Sequence, residues 1–176
     1  MHSLNKNGGN MNKVINLRQL KKIRINFKNK KIGLCHGAFD ILHNGHLFHF
    51  KEAKKKVDIL VVSVTADKFI FKGPNQPYNN ENARAKFLEH ISIIDYIYID
   101  NNLTAEKILA DLKPDIYFKG KDYNEKDLTG NLNKEIKILK KNKGKILITQ
   151  TQMLSSTKIV NNFFKPFESN IDNYLR

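Results

Sequence analysis

A chain of 176 residues that is 40% hydrophobic holds enough apolar material for one domain with a full core, and too little length for two of ordinary size. No run of about eighteen apolar residues could span a bilayer, no secretory signal pattern opens the chain, and the single cysteine, Cys35, excludes an internal disulfide, so a cytoplasmic protein is expected. The formal charge of +14 attracts anions, yet all but four of the 31 basic residues are lysines scattered over what read as helix faces; with no base-reading motif among them, a nucleic-acid partner is not expected.

Residues 1–15 are polar and rich in Gly and Asn, with a second methionine at Met11, and are expected to form a disordered leader. The domain is expected over 16–164. It opens with a short basic helix at 16–26, through Leu17, Leu20, Ile23 and Ile25, read as a lid or brace. From there the chain alternates: strand 32–35, helix 45–56, the β-branched strand 59–64, helix 82–91, strand 96–99, and helix 105–112 stopped by Pro114. Strand 116–118, helix 132–141 ended by Gly144, strand 146–149 and a last helix from about Ser156 complete it. The tail 165–176 carries no clear pattern and reads as a linker to a second domain.

Five strands alternating with helices predict an α/β fold, a doubly wound parallel sheet with helices on both faces. Sheets of this kind bind ligands beyond the carboxyl ends of their strands. The loops to watch are therefore 36–46, 65–80, 100–104, 119–131 and 150–157.

The first of these loops is GAFDILHNGH, residues 37–46. Gly37 and Gly45 permit close backbone approach, and the helix that opens at Gly45 presents free N–H groups suited to phosphate. His43 and His46, three apart at a helix start, point to one side. They could bind a metal, cap the helix or hold a triphosphate; no third metal ligand stands at suitable spacing, so no metal site is expected.

GAFDILHNGH resembles the GxFDxxHxGH signature of the nucleotidyltransferase superfamily that shares an HxGH element with class I aminoacyl-tRNA synthetases, in its cytidylyltransferase-like branch. Three further blocks follow in the family's order. KGPNQPYNNENARAKFL (72–88) resembles the KGP and downstream arginine segment, KPDIYFKGKDY (113–123) the KPD and KGxDY segment, and LSSTKIV (154–160) the terminal SSTxI motif. A lone HxGH would be a weak signal; the ordered set is a strong one. Within the family the pattern most resembles the adenylyltransferase domain acting on heptose 1-phosphate. Cytidylyltransferases for glycerol phosphate, phosphocholine or phosphoethanolamine resemble it more distantly, since their RTxGxST motif has Gln150 here in place of the arginine.

The resemblance implies a Rossmann-like fold and transfer of a nucleotidyl group from a nucleoside triphosphate, with ATP expected, to a phosphorylated acceptor. His43, His46 and Lys72 would be catalytic, the histidines donating hydrogen bonds to phosphate oxygens as charge builds. Gly37, Ala38, Phe39, Gly45, Arg84, Lys119, Gly120, Asp122, Ser155, Ser156 and Thr157 would bind nucleotide. Arg84 would fork onto phosphate, or else pair with an acid such as Glu81. Asp40, with Lys72, would face the acceptor, or Asp40 would orient the loop. Mg2+ would come with the triphosphate, held largely by phosphates and water. Family members often form homodimers, and the adenylyltransferase domain is often fused to a sugar kinase, so both are expectations. Two other readings remain open: a CTP-dependent cytidylyltransferase for a different phospho- or phosphono-acceptor, and a non-catalytic nucleotide- or RNA-binding module.

Overall fold

A computed structural model describes residues 12–71, 76–121 and 131–150. Six strands, β1 (Val14–Ile15), β2 (Ile32–Gly37), β3 (Ile59–Thr65), β4 (Tyr96–Asp100), β5 (Ile116–Lys119) and β6 (Lys145–Ile148), form one sheet in the order β1-β4-β3-β2-β5-β6. Every pairing is parallel. The helices are α1 (Leu17–Asn26), α2 (Asn44–Lys54), α3 (Glu81–Glu89), α4 (Glu106–Leu112) and α5 (Asn131–Lys141). This is the doubly wound Rossmann-like architecture expected, with one strand more than the five predicted. The addition, β1, is an edge strand of two residues on β4, too short to show a period, and it draws Val14 and Ile15 out of the expected leader. The first eleven residues, the helix expected near Ser156 and the tail lie outside the described residues.

The sequence builds this sheet from its centre outward. All seven residues of β3, ILVVSVT, are buried, as a central parallel strand covered on both faces must be. Alternation sends Leu60, Val62 and Val64 to one face, where Cys35, Phe50, Ala85 and Leu88 pack, so α2 and α3 cover that side. Ile59 and Val61 turn to the other face, where Leu20, Ile23, Leu34, Ile108, Leu109 and Leu139 bring in α1, α4 and α5. Helix starts are capped locally: Asn16 and Gln19 form a reciprocal capping box on α1, and the Asn80 side chain accepts from Ala83 N–H at α3. Arg24 fixes α1 to the sheet by donating to Lys113 O and to Asp115 Oδ2 at 2.9 and 2.7 Å.

Gly144 serves a different purpose from the helix stop expected. The left-handed residue after α5 is Lys143, with φ 62°, whereas Gly144 is buried where the chain turns into β6. A Cβ there would stand 2.5 Å from the Pro114 carbonyl oxygen and 2.5 Å from Leu139 Cδ1. The α4–β5 connection and α5 thus both press on this glycine. Gly144→Ala is expected to destabilise the fold by about 2 kcal/mol or more, because a backbone carbonyl cannot be displaced cheaply; equilibrium urea denaturation measures it.

Strand order reverses at β2, with β3 on one side and β5 on the other. The crevice at the carboxyl ends of β2 and β5 is therefore where a doubly wound sheet takes a ligand.

Candidate functional site

The loop from β2 to α2 is shaped by one strained residue and one missing side chain. Phe39 has φ 50°, a left-handed backbone uncommon for an aromatic residue. Its ring lies over Gly37, whose Cβ, if present, would approach Phe39 Cζ to 3.2 Å. Phe39 is 7% exposed and packs on Phe50 and edge-on against His46, ring centroids 5.1 and 5.4 Å apart. The room that Gly37 leaves is filled by the Phe39 ring, which supports His46.

His43 occupies the N-cap of α2 in an extended conformation, and its side chain makes no capping bond. Its ring stacks on that of His46 at 4.0 Å. Burial lowers the His43 pKa below its ordinary value, and two imidazoles so close do not readily both carry charge. The pair stands at the positive end of a helix, beside first-turn N–H groups, with Gly45 buried in that turn.

Asp40 and Arg84 hold the walls of this site. Both Asp40 carboxylate oxygens accept backbone N–H groups of the segment entering α3, Tyr78 and Asn79, each at 2.8 Å. Arg84, fully buried on α3, donates to three carbonyls: Ala38 in the histidine loop, Asn79 at 2.9 Å, and Thr65 at the end of β3 at 2.8 Å. It also pairs with Asp67 Oδ1 at 2.5 Å. The expected fork onto phosphate is thus corrected. Arg84 faces inward from α3 and its guanidinium is committed to protein acceptors, while Glu81 accepts from Asp67 N–H instead.

Lys119 also points away from its expected role. It lies on the same face of β5 as Tyr117, 2% exposed, with Nζ 3.2 Å from Glu135 Oε2 of α5. Glu135 additionally accepts the Tyr117 hydroxyl and Ala105 N–H, both at 3.1 Å, and so joins β5, α4 and α5. The side chain that was to line the base is a structural cation; Gly120, half-buried just beyond β5, keeps a rim position. Lys72, Asp122, Ser155, Ser156 and Thr157 lie outside the described residues. Gln150, in place of the family's arginine, is exposed and donates its N–H to Glu52 Oε2 at 3.1 Å.

Two histidines outside the motif also belong to this rim. His49 of α2 is buried, with Nδ1 2.8 Å from Thr149 Oγ1 just past β6. His36 is the second-last residue of β2, one residue before the motif, its Nδ1 3.1 Å from Ser63 Oγ. The signal that could have found His36 is its place at the end of the strand preceding the glycine.

Fold and histidine motif are those of the HxGH class of nucleotidyltransferase-type folds. The cytidylyltransferase-like family pattern matches residues 34–162, and the chain belongs to that family. It is 35% identical over 137 residues to the bifunctional protein HldE of Campylobacter fetus, covering 76% of this chain and 30% of that one. It is 31% identical over 165 residues to the HldE of Aliarcobacter butzleri, covering 91% and 34%. The chain thus spans about a third of the length of these curated relatives. Among solved structures it resembles the lipopolysaccharide core biosynthesis protein of Thermoplasma volcanium, with TM-score 0.60 and 26% identity over 71% of this chain and all of the other. A pantoate-beta-alanine ligase from Francisella tularensis shares the fold, with TM-score 0.54 and 21% identity, covering 81% and 68%.

Two outcomes follow from this geometry. Arg84→Ala strands the Ala38, Asn79 and Thr65 carbonyls and the Asp67 carboxylate, and is expected to cost about 3 kcal/mol or more, with Arg84→Lys restoring only part because one ammonium cannot span four acceptors; urea denaturation compares them. Burial, and secondarily the Lys119 ammonium, push His36 down to about 3 and His49 down to about 4, from 6.5. The unfolded chain therefore binds more protons in that window, so this stability is full above pH 6.5 and falls as pH drops toward 4, by up to about 1.4 kcal/mol per pH unit for each histidine. Denaturation midpoints at about pH 7.5 and about pH 5 check the sign.

Proposed function

We propose that this chain transfers an adenylyl group from ATP to a sugar 1-phosphate of the heptose type, releasing pyrophosphate. The observation that supports it is the stacked His43 and His46 pair at the start of α2, beside the β2/β5 crevice, in a chain 31–35% identical to HldE proteins. A phosphate oxygen of the acceptor attacks the α-phosphorus. The new P–O bond forms as the bond from the α-phosphorus to the bridging oxygen breaks, and that electron pair leaves with pyrophosphate. The nucleophile is already an anion, so the protein's task is alignment and stabilisation of developing charge.

His43 and His46 donate hydrogen bonds to the phosphate oxygens on which charge accumulates, assisted by the α2 N-terminus. Lys72 carries charge to the triphosphate or the acceptor phosphate, and Ser155, Ser156 and Thr157 hold the outer phosphates by hydroxyls and N–H groups. Gly120 and Asp122 flank the nucleoside. Asp40 acts through the backbone it holds. Among the described residues no group of three His, Cys, Asp or Glu side chains stands at metal-binding spacing, so magnesium is assigned to the triphosphate, whose charge it would offset. No helix among the described residues is long and apolar enough to cross a membrane, which fits an enzyme working in the cytoplasm. A sugar kinase, on the same polypeptide or a separate one, must supply the acceptor.

The family description favours a second reading, CTP as donor. Pyrophosphate release with ATP and CTP, each crossed against heptose 1-phosphate, other sugar 1-phosphates, glycerol 3-phosphate and phosphocholine, separates the two. ATP with a sugar 1-phosphate is expected to be fastest; a clear CTP preference refutes the adenylyl assignment, and silence with every pair returns the chain to a binding role. His46→Ala is expected to lower kcat by about 10²-fold or more with its urea midpoint nearly unchanged.

A further inference from the structure

The rim of the sheet between β2 and β4 holds polar side chains that the transfer chemistry leaves unused. The register pairs His36↔Ser63 and Thr65↔Asp100 put these four residues on one face, at the carboxyl ends of three neighbouring strands. It is the face opposite Phe39 and Val64. His36 Nδ1 is 3.1 Å from Ser63 Oγ, while Nε2 is 3.5 Å from Thr65 Oγ1, too far for a strong bond and therefore open to a better partner. Ser63 and Asp100 are fully buried, Thr65 is 9% exposed, and His36 is half-buried at the mouth. Asp100 Oδ1 accepts from Asn102 Nδ2 at 2.6 Å; the buried Oδ2 has no hydrogen-bond partner among the described residues.

The chemistry of this row selects its ligand. Burial holds His36 neutral throughout the physiological range, so the ring offers a hydrogen bond without a charge. The Asp100 carboxyl behind it, its pKa raised by burial, is a hydrogen-bond partner for hydroxyls and offers phosphate no cation. Position narrows the choice further. With pyrophosphate departing at the start of α2 and the nucleoside on the β5 side of β2, an in-line attack brings the acceptor over the β3 side. We propose that His36, oriented by Ser63 and backed by Thr65 and Asp100, binds hydroxyl groups on the acceptor's carbon chain and selects a polyhydroxylated phosphate. This rests on the nucleotidyl-transfer reading above. His36 is here a specificity residue and Ser63 a positioning residue.

Steady-state kinetics of the full chain, with whichever donor and sugar phosphate turn over, test it. His36→Leu is expected to raise the acceptor KM by about tenfold or more while the donor KM stays within about twofold. Ser63→Ala should give a smaller rise of the same kind, and His36→Asn, which keeps a hydrogen-bonding group, should recover part of the affinity. An acceptor analogue lacking one hydroxyl should lose affinity with the wild type and lose none further with His36→Leu. Should His36→Leu fail to fold by circular dichroism, His36→Asn against the same analogue carries the test. An unchanged acceptor KM, or a rise confined to the donor KM, overturns the assignment while leaving the transferase reading intact. A wild type silent with every donor and acceptor refutes both together.

Discussion

The candidate site depends on one buried cation. Arg84 comes from α3, yet its acceptors belong to the histidine loop, the end of β3 and the segment leading into α3 itself. Those are separate excursions of the chain, and each brings carbonyls that cannot be satisfied by strand pairing once past the sheet edge. A planar fork with donors in fixed directions joins them, and Asp67 offsets the charge. Removing a guanidinium from water is costly. That cost is met only when all the acceptors are in place, so the arrangement is close to all-or-none. Asp40 completes the clasp from the other side by gripping the Tyr78 and Asn79 N–H groups. The walls around the histidine pair are therefore set by the fold before any ligand arrives.

The same logic runs through the second layer of the sheet, where Glu135 gathers Lys119, the Tyr117 hydroxyl and the Ala105 N–H. One acid thus ties α5 to the end of β5 and to the start of α4, on the side of the crevice opposite Arg84. In a chain of net charge +14, these two buried cations are paired inside the protein. Among the described residues the positive field at the histidine pair then comes from the α2 terminus.

The parallel sheet was legible in the sequence because β-branched runs and helical spacing alternate without interruption from Ile32 onward. The two-residue β1 was not, since its place is set by β4 and not by any local pattern. His43 and His46 could be read because a helix start fixes their direction. Arg84 and Lys119 were placed wrongly for a common reason: charge names a chemistry but not a face. For Lys119 the face could have been counted, as it alternates with the buried Phe118 and shares a side with Tyr117. For Arg84 no such count exists, because a helix residue beside a loop can turn either way, and only the stranded carbonyls decide. His36 was overlooked because it stands just ahead of the motif that drew attention.

A close histidine pair in a strongly basic protein gives the site a particular electrical character. A permanently charged pair at the start of α2 would repel itself at 4.0 Å and bind any anion indiscriminately. Burial holds His43 below its ordinary basicity, so the pair does not carry two fixed charges. In the proposed transfer its hydrogen bonds would strengthen as charge moves from the attacking oxygen toward the leaving pyrophosphate. Interactions that grow along the reaction lower the barrier, whereas those equally strong at the start do not. In that reading GAFDILHNGH supplies two stacked imidazoles to the moving charge, while Arg84 and Asp40 hold the backbone around them in place.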